Sequence, residues 1–385
     1  MQAARISRRI CHRKGLTRIE LVVVLGIIGT VLAVVLPGMQ RVRARARQAE
    51  CLNNMRQVGL AAINYSASFD GAFPKLIDSA GGEVFVSERV GTIPTPWTVA
   101  VIPLIEGSPL YEDLLSPARD QTFEELAAWQ MPVYRCPSSP FSHQRAVNSY
   151  VANGGYMTLS RWNNASRIDN GHSQDGYDWQ ADGVGLVTEW DRQITKATGV
   201  VFSGSSTNYE DIGDGTSATI LLSENVDTVP FDPATGEGGW ISRAPGNLCF
   251  ALPIAEQGSS SAPASIQDDA ANGVGDVSGD APKANMAQAL SLHSSFSLAT
   301  TKPSDFRVGR INSRNRNASP GNMPRPSSNH PGGVNIILVD GSGRFLSEDI
   351  DDSVYARMIS SNGEKHGQSP FDNVYESMQS RRRQY

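Results

Sequence analysis

The chain has 385 residues, 39% of them apolar and 19% charged, with a formal net charge of -5; this is a globular composition and excludes a disordered chain. The charge is unevenly placed, because residues 1–15 carry Arg5, Arg8, Arg9, Arg13 and Lys14 and no acid, which leaves the remainder more acidic than the total. A basic head on an acidic body points to membrane targeting, and no nucleic-acid partner is expected.

The first element is apolar. Residues 21–36 contain no charge and no proline; sixteen residues make about 24 Å of helix, slightly short of a bilayer core unless Ile19 and Met39 extend it. A secretory signal peptide has a shorter apolar core and a small-residue cleavage site behind it. Here Pro37-Gly38-Met39 leads straight into an arginine-rich helical stretch. Arg41, Arg43, Arg45 and Arg47 flank the far end, so the charge asymmetry across the segment is small and only slightly favours an N-terminus on the inside. Glu20 sits at the near edge, where desolvating a carboxylate is costly and intramembrane acids tend to be functional.

The segment Arg13-Lys14-Gly15-Leu16-Thr17-Arg18-Ile19-Glu20 resembles the prepilin processing site of type IV pilins and type II secretion pseudopilins. The resemblance implies cleavage after Gly15 by a prepilin peptidase and methylation of the new N-terminus at Leu16, where family members usually carry phenylalanine. It makes Glu20 the fifth residue of the mature chain and places Pro37 at the helix-kinking proline of that family. In pilin-like assembly the acid is thought to meet the free amino group of a neighbouring subunit inside an apolar bundle.

From Met39 to about Tyr65, Val42, Ala46, Ala49, Met55, Ala62 and Ile63 recur at roughly helical spacing. The arginines at 41, 43, 45 and 47 step by two, which scatters them around a helix, and they read as side chains snorkelling to a membrane surface. "DGAFPK" (70–75) supplies turn residues that end the helix. Residues 84–155 then mix short apolar runs with prolines: "TPWTVAVIPLIEG" and "MPVYRCPSSP" read as strands or short helices, followed by "NSYVANGG". Residues 183–225 read as β through "GVGLVTEW", "TGVVFSG" and "SATILLSEN". Residues 256–285 are rich in Ser, Ala, Gly and Asp and 310–329 are polar, so both are expected as long loops. The chain closes on "GGVNIILVDGSGRFLS", a hairpin whose first strand meets Asp340-Gly341-Ser342-Gly343 and returns through Arg344-Phe345-Leu346.

Nine residues separate His330 from Asp340-Gly341. This H-x9-DG ending resembles a large bacterial family of prepilin-headed proteins whose head is a domain of unknown function. "CLNNMRQVGLAAINY", "YRCPSSP" and "DIGDGTSATILLSEN" resemble the same family, so the likeness spans nearly the whole chain. It implies an architecture rather than an activity.

Asp340 before glycine is what a tight turn demands, and His330 before Pro331-Gly332-Gly333 reads as a loop residue bonding backbone; together they also raise a catalytic or metal reading. Asp178, Gln180, Asp182, Gly183 and Glu189 fall at calcium-loop spacing, but Gln180 breaks the pattern and the flanks read as β, so chance matching is the expectation and the metal content is left open. Cys136 and His143 lack partners at metal spacing, and hydrolase, zincin and CxxC signatures do not occur. Of four cysteines, Cys11 lies in the leader and the other three allow one disulfide; if Cys51 and Cys136 are oxidised outside the cytoplasm they staple the long helix to the head, leaving Cys249 free or buried.

The expected fold is α+β: a long N-terminal hydrophobic helix serving as membrane span and spine, then a mostly antiparallel, β-rich head with long loops. The leader occupies 1–15, the helix 16–68, the extracytoplasmic head 69–350 with 256–330 largely flexible loops, and a C-terminal tail 351–385. The expected protein is a non-enzymatic pilin-like or pseudopilin-like subunit without cofactors. It is single-pass in the inner membrane, with a cytoplasmic leader and a periplasmic or extracellular head. Its expected partners are prepilin peptidase, inner-membrane lipid and other pilin-like subunits. The alternative is a membrane-tethered binding module that uses the same signal without polymerising.

Overall fold

A computed structural model describes residues 18–87, 91–105, 108–115, 122–141, 143, 146–158, 189–203, 206–234, 238–254, 311–312, 325–363 and 365. Contacts divide the chain into two units, Met1–Arg47 and Gln48–Tyr385, and helix α1 (Arg18–Ser68) runs unbroken through the division with Pro37 inside it. In the first unit the helix leaves Ile19, Leu21, Val22, Leu25, Ile28, Leu32 and Leu36 exposed, and its length and apolar character make it a candidate membrane span. Gly15 and Leu16 lie outside the described residues.

In the second unit α1 buries one stripe: Cys51, Met55, Val58, Ala62 and Ser66. These positions are spaced four, three, four and four apart, which is one face of a helix. Each fully buried Met or Val on that stripe is worth about 1.5–3 kcal/mol of apolar burial. The helix stops where the sequence supplies "SFDGAF": Asp70 and Gly71 take positive φ values of 51° and 82°. The Phe69 and Gly71 amides then cap the Ser66 carbonyl at 3.1 and 2.8 Å, so the left-handed turn through Asp70 and Gly71 brings a donor back to an end carbonyl of the helix.

Two strands, β1 (Ile77–Ser87) and β2 (Gly91–Pro96), form a small antiparallel sheet. The main sheet contains β3 (Tyr150–Thr158), β4 (Ile220–Glu224), β5 (Cys249–Ile254), β6 (Gly333–Leu338) and β7 (Gly343–Ser347), in the order β5-β3-β4-β6-β7. The β3–β5 pair is parallel and the other three are antiparallel, so the fold is α+β with a mostly antiparallel, mixed sheet.

Both faces of this sheet are covered, which explains why β4 and β6 are buried along their whole length and read as continuous apolar runs rather than alternating ones. The alternation appears in the destinations of the side chains. Tyr150, Ala152, Cys249, Ala251, Ile337 and Val339 join the core that holds α1, Trp97, Tyr134 and Trp240. Val151, Phe250, Leu252, Val334, Ile336 and Leu338 face the other way, toward Ile194, Tyr355, Ala356 and Ile359. The two large indoles of the first core are anchored by their polar edges, Trp97 Nε1 donating to the Leu248 carbonyl at 2.8 Å and Trp240 Nε1 to that of Trp129 at 3.0 Å. Gly59 lets α1 lie close on β6, since a Cβ there would stand 2.8 Å from Ile337 Cγ2.

The structure departs from the sequence reading in several places. Glu189–Ala197 is a helix, not a strand: Ile194 and Ala197 are buried three residues apart, and that helical spacing governs the local fold. Val200 and Val201 are buried but lie outside any strand, both amides sharing the Asn153 carbonyl at 3.1 and 2.9 Å. Within the tail segment 351–385, a helix (Asp352–Ile359) buries Tyr355, Ala356 and Ile359 on the sheet, an apolar face that only the folded sheet can receive. The loop span 256–330 lies mostly outside the described residues, but Arg325, Ser327 and His330 at its end are buried.

Candidate functional site

The most unusual chemistry in the described residues lies under α1, at one end of the main sheet. Cys51 comes from α1. Cys136 follows a short 3-10 segment, Pro132–Tyr134, Glu224 ends β4, and His330 stands in the loop that enters β6. All four are buried. Cys51 and Cys136 are joined by a disulfide that closes a sequence separation of 85 residues, tying the helix to the head.

The backbone around the sulfurs is fixed by the start of β3. Ser149 Oγ accepts the Cys136 amide at 3.1 Å, and the Ser149 amide donates to the Tyr134 carbonyl at 2.7 Å. The Tyr150 hydroxyl donates to the Cys51 carbonyl at 3.0 Å, and Asn54 Nδ2 donates to the Arg135 carbonyl at 3.1 Å. Burial pushes the Tyr150 hydroxyl well above the ordinary tyrosine range, with the nearby Glu224 charge acting in the same direction, so it stays a neutral donor.

Glu224 is held from several sides. Its Oε2 accepts the Asn335 backbone amide at 2.9 Å, and its Oε1 accepts Asn335 Nδ2 at 2.9 Å. The same Oε1 lies 3.1 Å from His330 Nε2. The Glu224 and His330 side chains are only 1% and 2% exposed. A carboxylate in such a place is tolerable only because donors replace water, and removing one partner of a buried pair costs about 3–5 kcal/mol. The imidazole and carboxylate also touch the disulfide, with Cys136 Sγ 3.7 Å from His330 Nε2 and 3.8 Å from Glu224 Oε1. The four ligand-type atoms, two Sγ, one Oε and one imidazole nitrogen, all lie within 4.8 Å of one another.

The two ends of the H-x9-DG motif do different jobs. Asp340 and Gly341 make the β6–β7 turn: Asp340 Oδ1 accepts the Ser342 amide at 2.8 Å, and Gly341 has φ 82°, a conformation available to glycine without strain. His330 stands at the opposite end of β6. Its amide donates to Ser328 Oγ at 3.0 Å, but its ring engages Glu224 instead of loop backbone. The motif length is therefore the length of a strand with its turn, and it separates His330 from Asp340. Cys136, which has no metal-spaced neighbour in sequence, meets His330 across 194 residues. Asp178, Gln180, Asp182 and Gly183 lie outside the described residues, while Glu189 opens a helix.

No motif or spacing in the sequence marks Glu224 or Asn335. The readable hints are an acid ending the apolar run "ILLSE" and an asparagine interrupting "VNIILV", since a polar residue in a fully buried strand needs a partner. Cys249 lies apart from this cluster; burial pushes its thiol up to about 12, so it remains protonated and inert.

No curated protein and no solved structure matches the chain. The family described as "Protein of unknown function (DUF1559)" matches residues 40–353, a span that takes in the buried half of α1, the whole main sheet and every residue of the Cys–Glu–His cluster. The chain belongs to the DUF1559 family.

Proposed function

We propose that the protein is a non-enzymatic pilin-like or pseudopilin-like structural subunit. In this reading prepilin peptidase cleaves after Gly15 and Leu16 is methylated. The apolar part of α1 then spans the inner membrane, with the leader cytoplasmic and the head periplasmic or extracellular. The observation that carries the reading is α1: one continuous helix whose early apolar side chains are exposed and whose later positions are buried in a folded head. An apolar surface of that kind calls for lipid or for copies of the same helix. Glu20, in its first turn, is then positioned to set subunit register against a neighbour's amino group.

Intact-mass measurement of the native protein tests this directly. The expected mass lacks the first fifteen residues and carries one added methyl group; a full-length N-terminus refutes the processing. Glu20→Ala is expected to abolish assembly while the head stays folded.

One observation favours a second reading, a tethered binding module that does not polymerise. Trp129 is 56% exposed and lines an open hollow of about 520 Å³ with Glu124, Glu125, Gln130 and Pro233, an apolar face with a few polar groups at its edge, as ligand sites have. Absence of the processed protein from sheared surface fractions would favour this reading over the filament.

A further inference from the structure

A disulfide that links a helix to a head needs no polar neighbours. Here a carboxylate and an imidazole are buried against it, in a core that tolerates two chargeable groups only because they pair with each other and with Asn335. Their placement matches another requirement. In a tetrahedral zinc site, with metal–sulfur bonds of about 2.3 Å and metal–nitrogen or –oxygen bonds of about 2.0 Å, neighbouring ligand atoms stand roughly 3.3–3.8 Å apart. Cys136 Sγ is 3.7 Å from His330 Nε2 and 3.8 Å from Glu224 Oε1, and those two atoms are 3.1 Å apart. Cys51 Sγ is bonded to Cys136 Sγ here, so it becomes the fourth ligand only once the disulfide opens and the two sulfurs move apart to ligand spacing; all four atoms already lie within 4.8 Å of one another.

We propose that Cys51, Cys136, Glu224 and His330 form a zinc-class divalent-cation site in the dithiol state of the protein, mutually exclusive with the disulfide. The inference does not depend on how the N-terminus is processed.

The outer contacts suit this role. Asn335 bonds both oxygens of Glu224, fixing the carboxylate as outer-shell partners do in metal centres. Ser149 and Tyr150 fix the backbone of the two cysteines. The ligands come from α1, the turn before Ser139, β4 and the entrance to β6, so a bound cation would tie together the two elements that the disulfide joins and also β4 and the entrance to β6.

The interconversion balances. A dithiol donor supplies two electrons and two protons to the Cys51–Cys136 bond and leaves as its own disulfide. The cation then binds two thiolates, releasing the two thiol protons, with the imidazole neutral and the carboxylate anionic. In reverse, a disulfide acceptor takes two electrons from the thiolates and two protons from water and leaves as its dithiol, the sulfurs rejoin and the cation leaves. The site thereby senses the redox poise of its compartment.

The test uses the full chain in detergent, reduced under anaerobic conditions with a metal-free phosphine and titrated with Co²⁺. The expected result is one cobalt per chain, with a thiolate-to-cobalt charge-transfer band and the visible bands of tetrahedral cobalt. Cys249→Ser should leave these unchanged, while His330→Ala and Glu224→Gln should weaken binding at least tenfold, and the oxidised chain should show no band. If reduction alone loosens the fold, cobalt is expected to restore its circular dichroism as the band appears. No band in the reduced chain, equal bands in the His330 and Glu224 variants, loss of the band in the Cys249 variant, or cobalt binding by the oxidised chain would each overturn the proposal.

Discussion

Reducing the Cys51–Cys136 bond in the presence of a chelator is expected to destabilise the head by about 4.5 kcal/mol. The figure follows from the 85 residues that the bond spans, using the chain-entropy relation in which loop-closure entropy grows with the logarithm of loop length. That is roughly three decades in the folding equilibrium, and for a head of this size a fall in melting temperature on the order of 5–10 °C. Thermal and urea unfolding of the detergent-solubilised chain, oxidised against reduced, measures it. The chelator matters because a metal bound by the freed thiols would return part of the lost stability. The double variant Cys51→Ala/Cys136→Ala should show a similar loss and no further response to reductant. A loss below about 1 kcal/mol would mean that the reduced chain is already constrained by other contacts, and the loop-entropy reasoning would fail.

Gly59→Ala should destabilise despite the gain in helix propensity of about 1 kcal/mol, because its Cβ would stand 2.8 Å from Ile337 Cγ2 and overpacking costs about 1–3 kcal/mol; Gly38→Ala, in the same helix with nothing within 4 Å, is the control that should show no loss in thermal unfolding. Asn335→Ala removes the Nδ2 bonds to Glu224 Oε1 and the Gln48 carbonyl and should cost about 1.5–3 kcal/mol by urea unfolding. In a Glu224→Gln background the same change should cost measurably less, and equal costs in both backgrounds would show that the carboxylate is not what Asn335 supports. Cys249, its thiol pushed up to about 12 by burial, should resist alkylation at pH 8 in the folded oxidised chain and react once the chain is unfolded; rapid labelling of folded protein would contradict its burial.

Part of this architecture is local and was legible before folding. The apolar run of residues 21–36 needs only its own composition to be helical and lipid-seeking. The end of α1 follows from Asp70-Gly71, and the β6–β7 hairpin from Asp340-Gly341, because positive φ is a property of single residues. Strand and helix were harder to separate where burial is complete. "EWDRQITKA" lies inside the span 183–225 that reads as β, although its Ile194 and Ala197 spacing is helical, and Val200-Val201 look like a strand but serve one carbonyl of β3.

The candidate site is the opposite case. The sequence by itself determined the long apolar helix, its end, the closing hairpin and the α+β class, since each depends on residues a few positions apart. It also offered Cys51–Cys136 as one pairing among three cysteines, and those two are bonded in the structure. Only the tertiary structure decided that His330 faces Glu224 and Cys136 rather than Asp340. Nothing in local spacing joins residues that lie 106 and 194 positions apart. They meet because β4 and β6 pair side by side, with both of their faces covered. A buried carboxylate in that interior has to take its partners from whichever segments pass within hydrogen-bonding distance.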